Sequence, residues 1–259
     1  MSMGMLEEKV GLVTGAGSGL GRATCLLAAR EGASVAVLDI REEAAEATVE
    51  AVRQEGGQAM AIAVDVSSDK GMEDAVARVV RDLGPLAWAS NNAAGGFGDF
   101  VPLPDVDEES WSRTLEVCLT GIFHGMKYEI PAMLEAGGGS IINVSSASVV
   151  KGEAFLSAYV SAKGGVEALT RTGAAEYAAR GIRINAVAPG GFETPGLKSY
   201  FDRFPDFADK TIAQHAMRRV GQPEEIAEAV IWLASERSSF VTGSTLTCDG
   251  GISVNPHML

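Results

Sequence analysis

The sequence predicts a single-domain, doubly wound α/β fold, a parallel sheet of about seven strands with helices on both faces. Short, nearly continuous apolar runs rich in Val and Ile recur along the 259 residues, as expected of strands covered on both sides. Longer segments with helical apolar spacing separate these runs, and a glycine-rich turn joins the first run to the first helical segment. A chain that is 46% hydrophobic and 21% charged can bury a core of that size in one domain.

The elements follow in order. KVGLVT at 9–14 is the first strand, and the helix at 19–31 places Leu20, Ala23 and Leu27 on one face. SVAVLD at 34–39, AMAIAVD at 59–65 and LAWAS at 86–90 are the next strands, separated by Ala- and Glu-rich helices at 41–55 and 69–83. The stretch 106–136 reads as one long helix, followed by the strand SIINVS at 140–145, a helix at 157–180 and the strand IRINAVA at 182–188. Pro223-Glu224-Glu225 opens a helix over 223–235, because proline fits the first turn and carboxylates favour the helix N-terminus. A last strand is expected at about 244–248.

The segment from about 190 to 221 breaks this regularity. It contains Pro195 and Pro205 and concentrates the rings of Phe192, Tyr200, Phe201, Phe204 and Phe207. A long irregular insertion of this kind is expected to serve as a substrate lid, or to pack its rings on the domain or on a partner subunit.

Composition excludes several classes of function. A net charge of −13 disfavours a phosphate backbone, so no nucleic-acid partner is expected. Cys25, Cys118 and Cys248 lie too far apart for a metal knuckle or a CxxC pair, so no metal and a reducing cytoplasm are expected. No apolar signal core precedes Glu7 and Glu8, and no run approaches the roughly 18 apolar residues of a membrane helix, so neither export nor membrane attachment is expected.

Two ends of the chain carry chemistry. The run Thr14-Gly15-Ala16-Gly17-Ser18-Gly19-Leu20-Gly21 lies between a strand and a helix. Glycines there allow a tight turn and close approach to a pyrophosphate, and the helix N-terminus offers unpaired N–H groups to the anion. Asp39 ends the second strand, 18 residues past Gly21, where an acid accepts the ribose hydroxyls of NAD and repels the 2′-phosphate of NADP. Ser18 is not basic, which agrees with NAD; Arg41 lies nearby and keeps NADP as the less favoured alternative. At the other end, Tyr159 and Lys163 stand at i and i+4 on one helix face, and Ser146 follows the fifth strand at the carboxyl edge of the sheet.

Together, TGAGSGLG, Asp39, Asn91-Asn92-Ala93, Ser146, YVSAK and RINAVAPG resemble the short-chain dehydrogenase/reductase family, with its Rossmann fold, from about residue 6 to 252. The resemblance implies that Gly15, Gly17, Ser18, Gly19, Leu20 and Gly21 cradle the pyrophosphate, that Asp39 binds the adenosine ribose and that Asp65 and Val66 flank the adenine. It further implies that Asn91 and Ala93 support the central strand and the cofactor ribose, that Lys163 holds the nicotinamide ribose, and that Pro189, Gly190, Phe192 and Thr194 meet the carboxamide. Tyr159 is then the general acid/base, with Ser146 on the substrate oxygen. An ammonium about 4 Å from a phenol contributes roughly 4 kcal/mol at an effective dielectric near 20, so Lys163, helped by oxidised nicotinamide, is expected to bring the pKa of Tyr159 near neutral pH.

Two departures from the family pattern stand out. Ala94 precedes Gly95 where the family carries NNAG, and Cys118 in CLTG stands where the catalytic tetrad has Asn, a stronger hydrogen-bonding group than a thiol. The expected activity is hydride transfer between a secondary alcohol, apolar or cyclic, and NAD. Alternatives are a 3-oxoacyl-thioester reductase, which Asp39 disfavours, a cyclic diol or sugar-type dehydrogenase, and a non-catalytic dinucleotide-binding protein suggested by Cys118 alone. The expected substrate pocket comprises Gly96 and Phe97, the stretch from Val149 to Phe155, and the lid rings Tyr200 and Phe201. Lys151, counted among the candidate substrate residues, and His215 have two readings, contact with a polar substrate group or the plainer one of surface residues, and His124 and His257 receive no role. The resemblance also implies a homo-oligomer, commonly a tetramer.

Overall fold

Both faces of the strands are apolar, so the sheet lies at the centre of the fold with helices over each side. The structure, a computed structural model, describes residues 4–95, 100–194, 197–198, 202 and 205–255. Its strands are β1 (Val10–Thr14), β2 (Ser34–Asp39), β3 (Gln58–Ala63), β4 (Leu86–Asn91), β5 (Gly139–Val144), β6 (Ile182–Pro189) and β7 (Thr245–Cys248). All pair in parallel in the order β3-β2-β1-β4-β5-β6-β7.

Side-chain alternation assigns each helix to a face. Val13, Val35, Val37 and Ile142 point to one side, where α1 (Gly19–Arg30), α2 (Glu42–Gln54) and the helix Pro223–Ala234 cover them. Their neighbours Leu12, Ala36, Leu38 and Ile141 point to the other, under α3 (Asp69–Leu83) and later helices. Each fully buried Leu or Ile contributes roughly 1.5–3 kcal/mol, so the alternation pins the register of every strand. Local signals set the boundaries. Ser68 caps α3 by accepting the Gly71 N–H at 3.1 Å, and Glu225 accepts the Gln222 N–H at 2.8 Å at the start of the helix Pro223–Ala234.

The stretch expected as one helix over 106–136 is three pieces. They are α4 (Glu108–Leu115), a wide π turn (Glu116–Thr120) and α5 (Gly121–Glu135). The π turn rotates the helix face, so Cys118 is buried with its Sγ donating to the Gly95 carbonyl at 3.5 Å. Gly121 packs so tightly that a Cβ there would stand 2.6 Å from Val66 Cγ2. Such turns concentrate at functional sites.

Among the described residues further helices are α6 (Ser148–Lys151), α7 (Ser157–Tyr177) and α8 (Pro205–Gln214). The helix Pro223–Ala234 is then α9. The irregular segment is stapled at its root by a parallel bridge between Phe192 and Gly221. His215, expected at the surface, is buried there. Its Nε2 accepts the Gly191 N–H at 3.1 Å and its Nδ1 donates to Thr211 O at 2.8 Å, so it fastens the segment's two ends. His124 serves the fold as well, with Nδ1 3.0 Å from Val66 O. Among the described residues no helix is long and apolar enough to cross a membrane, and no His/Cys/Asp/Glu group is arranged to hold a metal. Pro195, Tyr200, Phe201, Phe204 and His257 lie outside the described residues.

Gly11 on β1 lies beside Trp88 on β4, and a Cβ there would fall inside the indole ring. Gly11→Ala is expected to destabilise the protein by about 1–3 kcal/mol through overpacking, read as a lower midpoint in urea.

Candidate active site

The chain order reverses between β1 and β4, and the connections after these strands leave towards opposite faces. That opens a crevice at their carboxyl ends, here a cavity of about 490 Å³. The glycine turn forms one wall. Gly15 adopts φ 61°, and a Cβ on it would stand 2.8 Å from Ala93 Cα. The Gly17 N–H donates to Asp39 Oδ2 at 2.9 Å, and a Cβ there would meet that oxygen at 2.8 Å. Ser18, Gly19 and Leu20 face the cavity directly, at the N-terminus of α1.

The cavity runs from Asp39 to the catalytic candidates. Asp65 and Val66 line its outer end, and Ala93, Pro189, Gly190, Phe192 and Thr194 its middle. Burial pushes the pKa of Asp65 up, but bonds from Ser67 and the Arg113 guanidinium outweigh it and hold the carboxyl below its usual range. Arg113, on α4, reaches Asp65 Oδ2 at 3.2 Å. Sequence reasoning missed this residue, because only the packing of α4 brings it to the cavity rim. Gly17, Gly21 and Asn91 stand behind the residues that line the cavity and shape it from there. A Gly21 Cβ would run into the Gly15 carbonyl. Asn91 is buried, with its amide bonded to Glu129 and Asn143.

Ser146, Tyr159 and Lys163 converge at the other end. Ser146 lies just past β5 and accepts the Ser148 hydroxyl at 2.8 Å. Ser146 also hydrogen-bonds Tyr159 and lowers its pKa, the effect of a donor aimed at the phenol oxygen. Lys163 is buried, and its Nζ donates to the Val144 carbonyl at 2.6 Å while standing 5.8 Å from the centre of the Tyr159 ring. Burial outweighs the Ser146 bond and pushes Tyr159 up to about 12, and burial also lowers Lys163. Each group alone resists its charge in the low dielectric. Cys118 adjoins both, and negative charge on it would raise both pKa values.

Of the expected substrate residues, Gly96, Phe97, Tyr200 and Phe201 lie outside the described residues. Phe155 is exposed at φ 68°, an uncommon conformation for a bulky residue. It shares a small cleft with Val101, Val106 and Tyr159. Lys151 is not the free surface residue expected. Its side chain is mostly covered, bonded to Gln214 Oε1 on α8 at 3.1 Å and to Glu153 at 2.7 Å.

A family model described as Enoyl-(Acyl carrier protein) reductase matches residues 15–253. Cyclohexanol dehydrogenase of Acinetobacter sp. is 42% identical over 244 residues, covering 94% of each chain. The 2,5-dichloro-2,5-cyclohexadiene-1,4-diol dehydrogenase of Sphingobium indicum is also 42% identical, across 96% of this chain and 98% of its own. The crystal structure of levodione reductase aligns with a TM-score of 0.91 at 33% identity, covering 96% of this chain and 98% of that one. The chain belongs to the short-chain dehydrogenase/reductase family.

As a short-chain dehydrogenase/reductase it is an alcohol dehydrogenase or ketone reductase, and the family implies a nicotinamide dinucleotide cofactor. The crevice fits that group. It combines a glycine turn whose Gly15, Ser18 and Gly19 line the cavity, a helix N-terminus, and an acid at the end of β2. Gly17→Ala is expected to weaken NADH binding at least tenfold, measured by fluorescence titration, because the added methyl displaces the Asp39 carboxylate.

Proposed function

We propose that this chain transfers hydride between an apolar, cyclic secondary alcohol and NAD, with Tyr159 as general acid/base. The observation that carries the reading is the convergence of Ser146, Tyr159 and Lys163 at the carboxyl edge of the sheet, at one end of the glycine-lined crevice. Bound in that crevice, the nicotinamide supplies the hydride acceptor or donor. The glycine turn, Asp39, Asp65 and Thr194 hold the dinucleotide.

The chain's own residues manage the proton. In alcohol oxidation Tyr159 takes the hydroxyl proton as hydride departs, and Ser146 hydrogen-bonds the substrate oxygen. Ser148 donates to Ser146, so the single Ser146 hydrogen is aimed at the Tyr159 phenol oxygen and turns to the reacting oxygen when substrate binds. An ammonium 5.8 Å from the phenol ring contributes roughly 3 kcal/mol at an effective dielectric near 20, about a hundredfold in phenol acidity. Lys163 thereby offsets part of the burial that pushes Tyr159 up.

Asp39 supports NAD over NADP. Its carboxylate accepts the Gly17 and Arg41 N–H groups at 2.9 and 3.0 Å, and the largely exposed Arg41 side chain pairs with it at 3.7 Å. A 2′-phosphate would face that negative charge. The substrate class is supported by the exposed apolar residues Phe100, Val150 and Phe155 and by the two relatives that act on six-membered rings. The segment around α8 is the lid, tied to the substrate side by the Lys151–Gln214 bond. The exposed Phe123 and Phe240 support subunit contacts in a homotetramer, and three unpaired thiols support a cytoplasmic location.

A panel of cyclic and open-chain alcohols with NAD and NADP, followed by NADH or NADPH absorbance, tests the reading. Turnover is expected with cyclic secondary alcohols and NAD; saturable dinucleotide binding with no turnover on any alcohol would overturn it. Tyr159→Phe is expected to lower kcat by about 10²–10⁴ with NADH affinity little changed. Because oxidation needs the phenolate, kcat/KM for the alcohol is expected to rise tenfold per pH unit until the phenol has titrated, while ketone reduction falls beyond that point. Cys118→Asn is expected to leave turnover within about threefold; an increase of orders of magnitude would show the thiol impairs the proton path.

A further inference from the structure

One buried ionisable side chain takes no part in the alcohol chemistry. Glu129, on α5, is fully buried. Its Oε2 accepts an Asn91 amide hydrogen at 3.0 Å, and the other Asn91 hydrogen goes to Asn143 Oδ1 at 3.1 Å. Asn143 donates its own two hydrogens to Thr170 Oγ1 at 2.9 Å and Met126 Sδ at 3.3 Å. Both amides therefore use every hydrogen they have, which fixes the way each one faces.

Two acceptors are left over. Asn91 Oδ1 and Glu129 Oε1 are buried with no hydrogen-bond partner among the described residues. They converge on one spot, since a Cβ built on Gly125 would run into Asn91 Oδ1 and stand 3.1 Å from Glu129 Oε1. The cluster is one hydrogen short.

We infer that Glu129 is an uncharged carboxylic acid whose O–H donates to Asn91 Oδ1, closing a cyclic acid–amide pair that positions the end of β4 for the cofactor loop. One proton satisfies both stranded oxygens and removes a charge that has no counter-ion. No charged group faces Glu129. On α3, Asp69 pairs with Lys127 and approaches His124 on the outer side of α5; on α7, Lys163 is turned to Val144; on β6, Arg183 bonds Leu233 O. Its remaining neighbours on β4, β5 and α7 are the neutral Asn91, Asn143 and Thr170. In agreement, burial pushes Glu129 up to about 8, against the lowering effect of the Asn91 bond.

The pair acts on the site through the chain. Asn91 precedes Asn92, whose side-chain amide donates to the Thr14 and Gly15 carbonyls at 3.1 and 3.2 Å. Glu129 is thus a positioning residue for the glycine turn. The inference holds whichever alcohol is the substrate and whichever dinucleotide is preferred.

Glu129→Gln tests it, because a glutamine reproduces both bonds of the neutral acid, accepting from Asn91 Nδ2 and donating to Asn91 Oδ1. Between the unfolded glutamate pKa of about 4.3 and the folded value of about 8, the native state holds a proton that the unfolded chain lacks. Native stability is therefore lost as pH rises through that window. Thermal unfolding is expected to show the Tm of Glu129→Gln gaining steadily on the native protein from about pH 5 to about pH 8 and levelling off above. NADH affinity is expected to be within twofold of native for Glu129→Gln at neutral pH and at least fivefold weaker for Glu129→Ala. A pH-independent Tm difference, or native affinity in Glu129→Ala, would overturn the proposal. Should the variants fail to fold, infrared spectra of the native protein decide it. A protonated buried carboxyl stretch at neutral pH that fades above about pH 8 is expected, and its absence, as with an ionised Glu129 bridged by a trapped water, overturns the neutral acid.

Discussion

Thr14 ties the two middle strands together at the point where the sheet reverses its order. Its hydroxyl oxygen accepts the backbone N–H groups of Asn92 and Ala93, both at 3.0 Å, and the Asn92 side chain returns a bond to the Thr14 carbonyl. Five hydrogen-bonding groups at a sheet edge, which would otherwise face solvent, are used to hold the ends of β1 and β4 at a fixed separation. The glycine turn is thereby pressed against Ala93, and the crevice stays open beside it. Everything the family chemistry requires is measured from that junction: Asp39 one strand to one side, Ser146 one strand beyond β4 on the other.

Burial then decides the electrostatics. Exposed pairs such as Lys70 with Glu73 and Asp74 lie in water and contribute little to stability. The buried groups behave otherwise. Lys163, Tyr159 and Glu129 are each driven towards their neutral forms by the loss of solvent. In Tyr159 burial holds the phenol proton more tightly, and the Lys163 ammonium beside the ring works against that effect. Around Glu129 the same penalty is relieved by neutralisation, which leaves a rigid, fully bonded cluster under the cofactor loop.

Most of the fold was legible from the sequence, because strand periodicity and glycine chemistry are local. The seven strands fall within a residue or two of their sequence ranges, and the residues of the glycine turn, Asp39, Ser146, Tyr159 and Lys163 gather around one crevice. The misreadings share a cause. Residues 106–136 have helical spacing throughout, and nothing in EVCLTG signals the wide turn that packing imposes at Cys118. His215 and Lys151 look like surface side chains until the root of the lid and α8 close over them.

The sequence by itself determined where the strands and most helices run, that the strands are covered on both faces and which side chains reach the carboxyl edge, because these follow from periodicity and backbone freedom. Tertiary structure alone decided the ionisation of Tyr159, the reach of Arg113 to Asp65 and the one-hydrogen deficit around Glu129. Each depends on how much water is excluded and on which atoms meet across elements distant in the chain, and no local spacing encodes either.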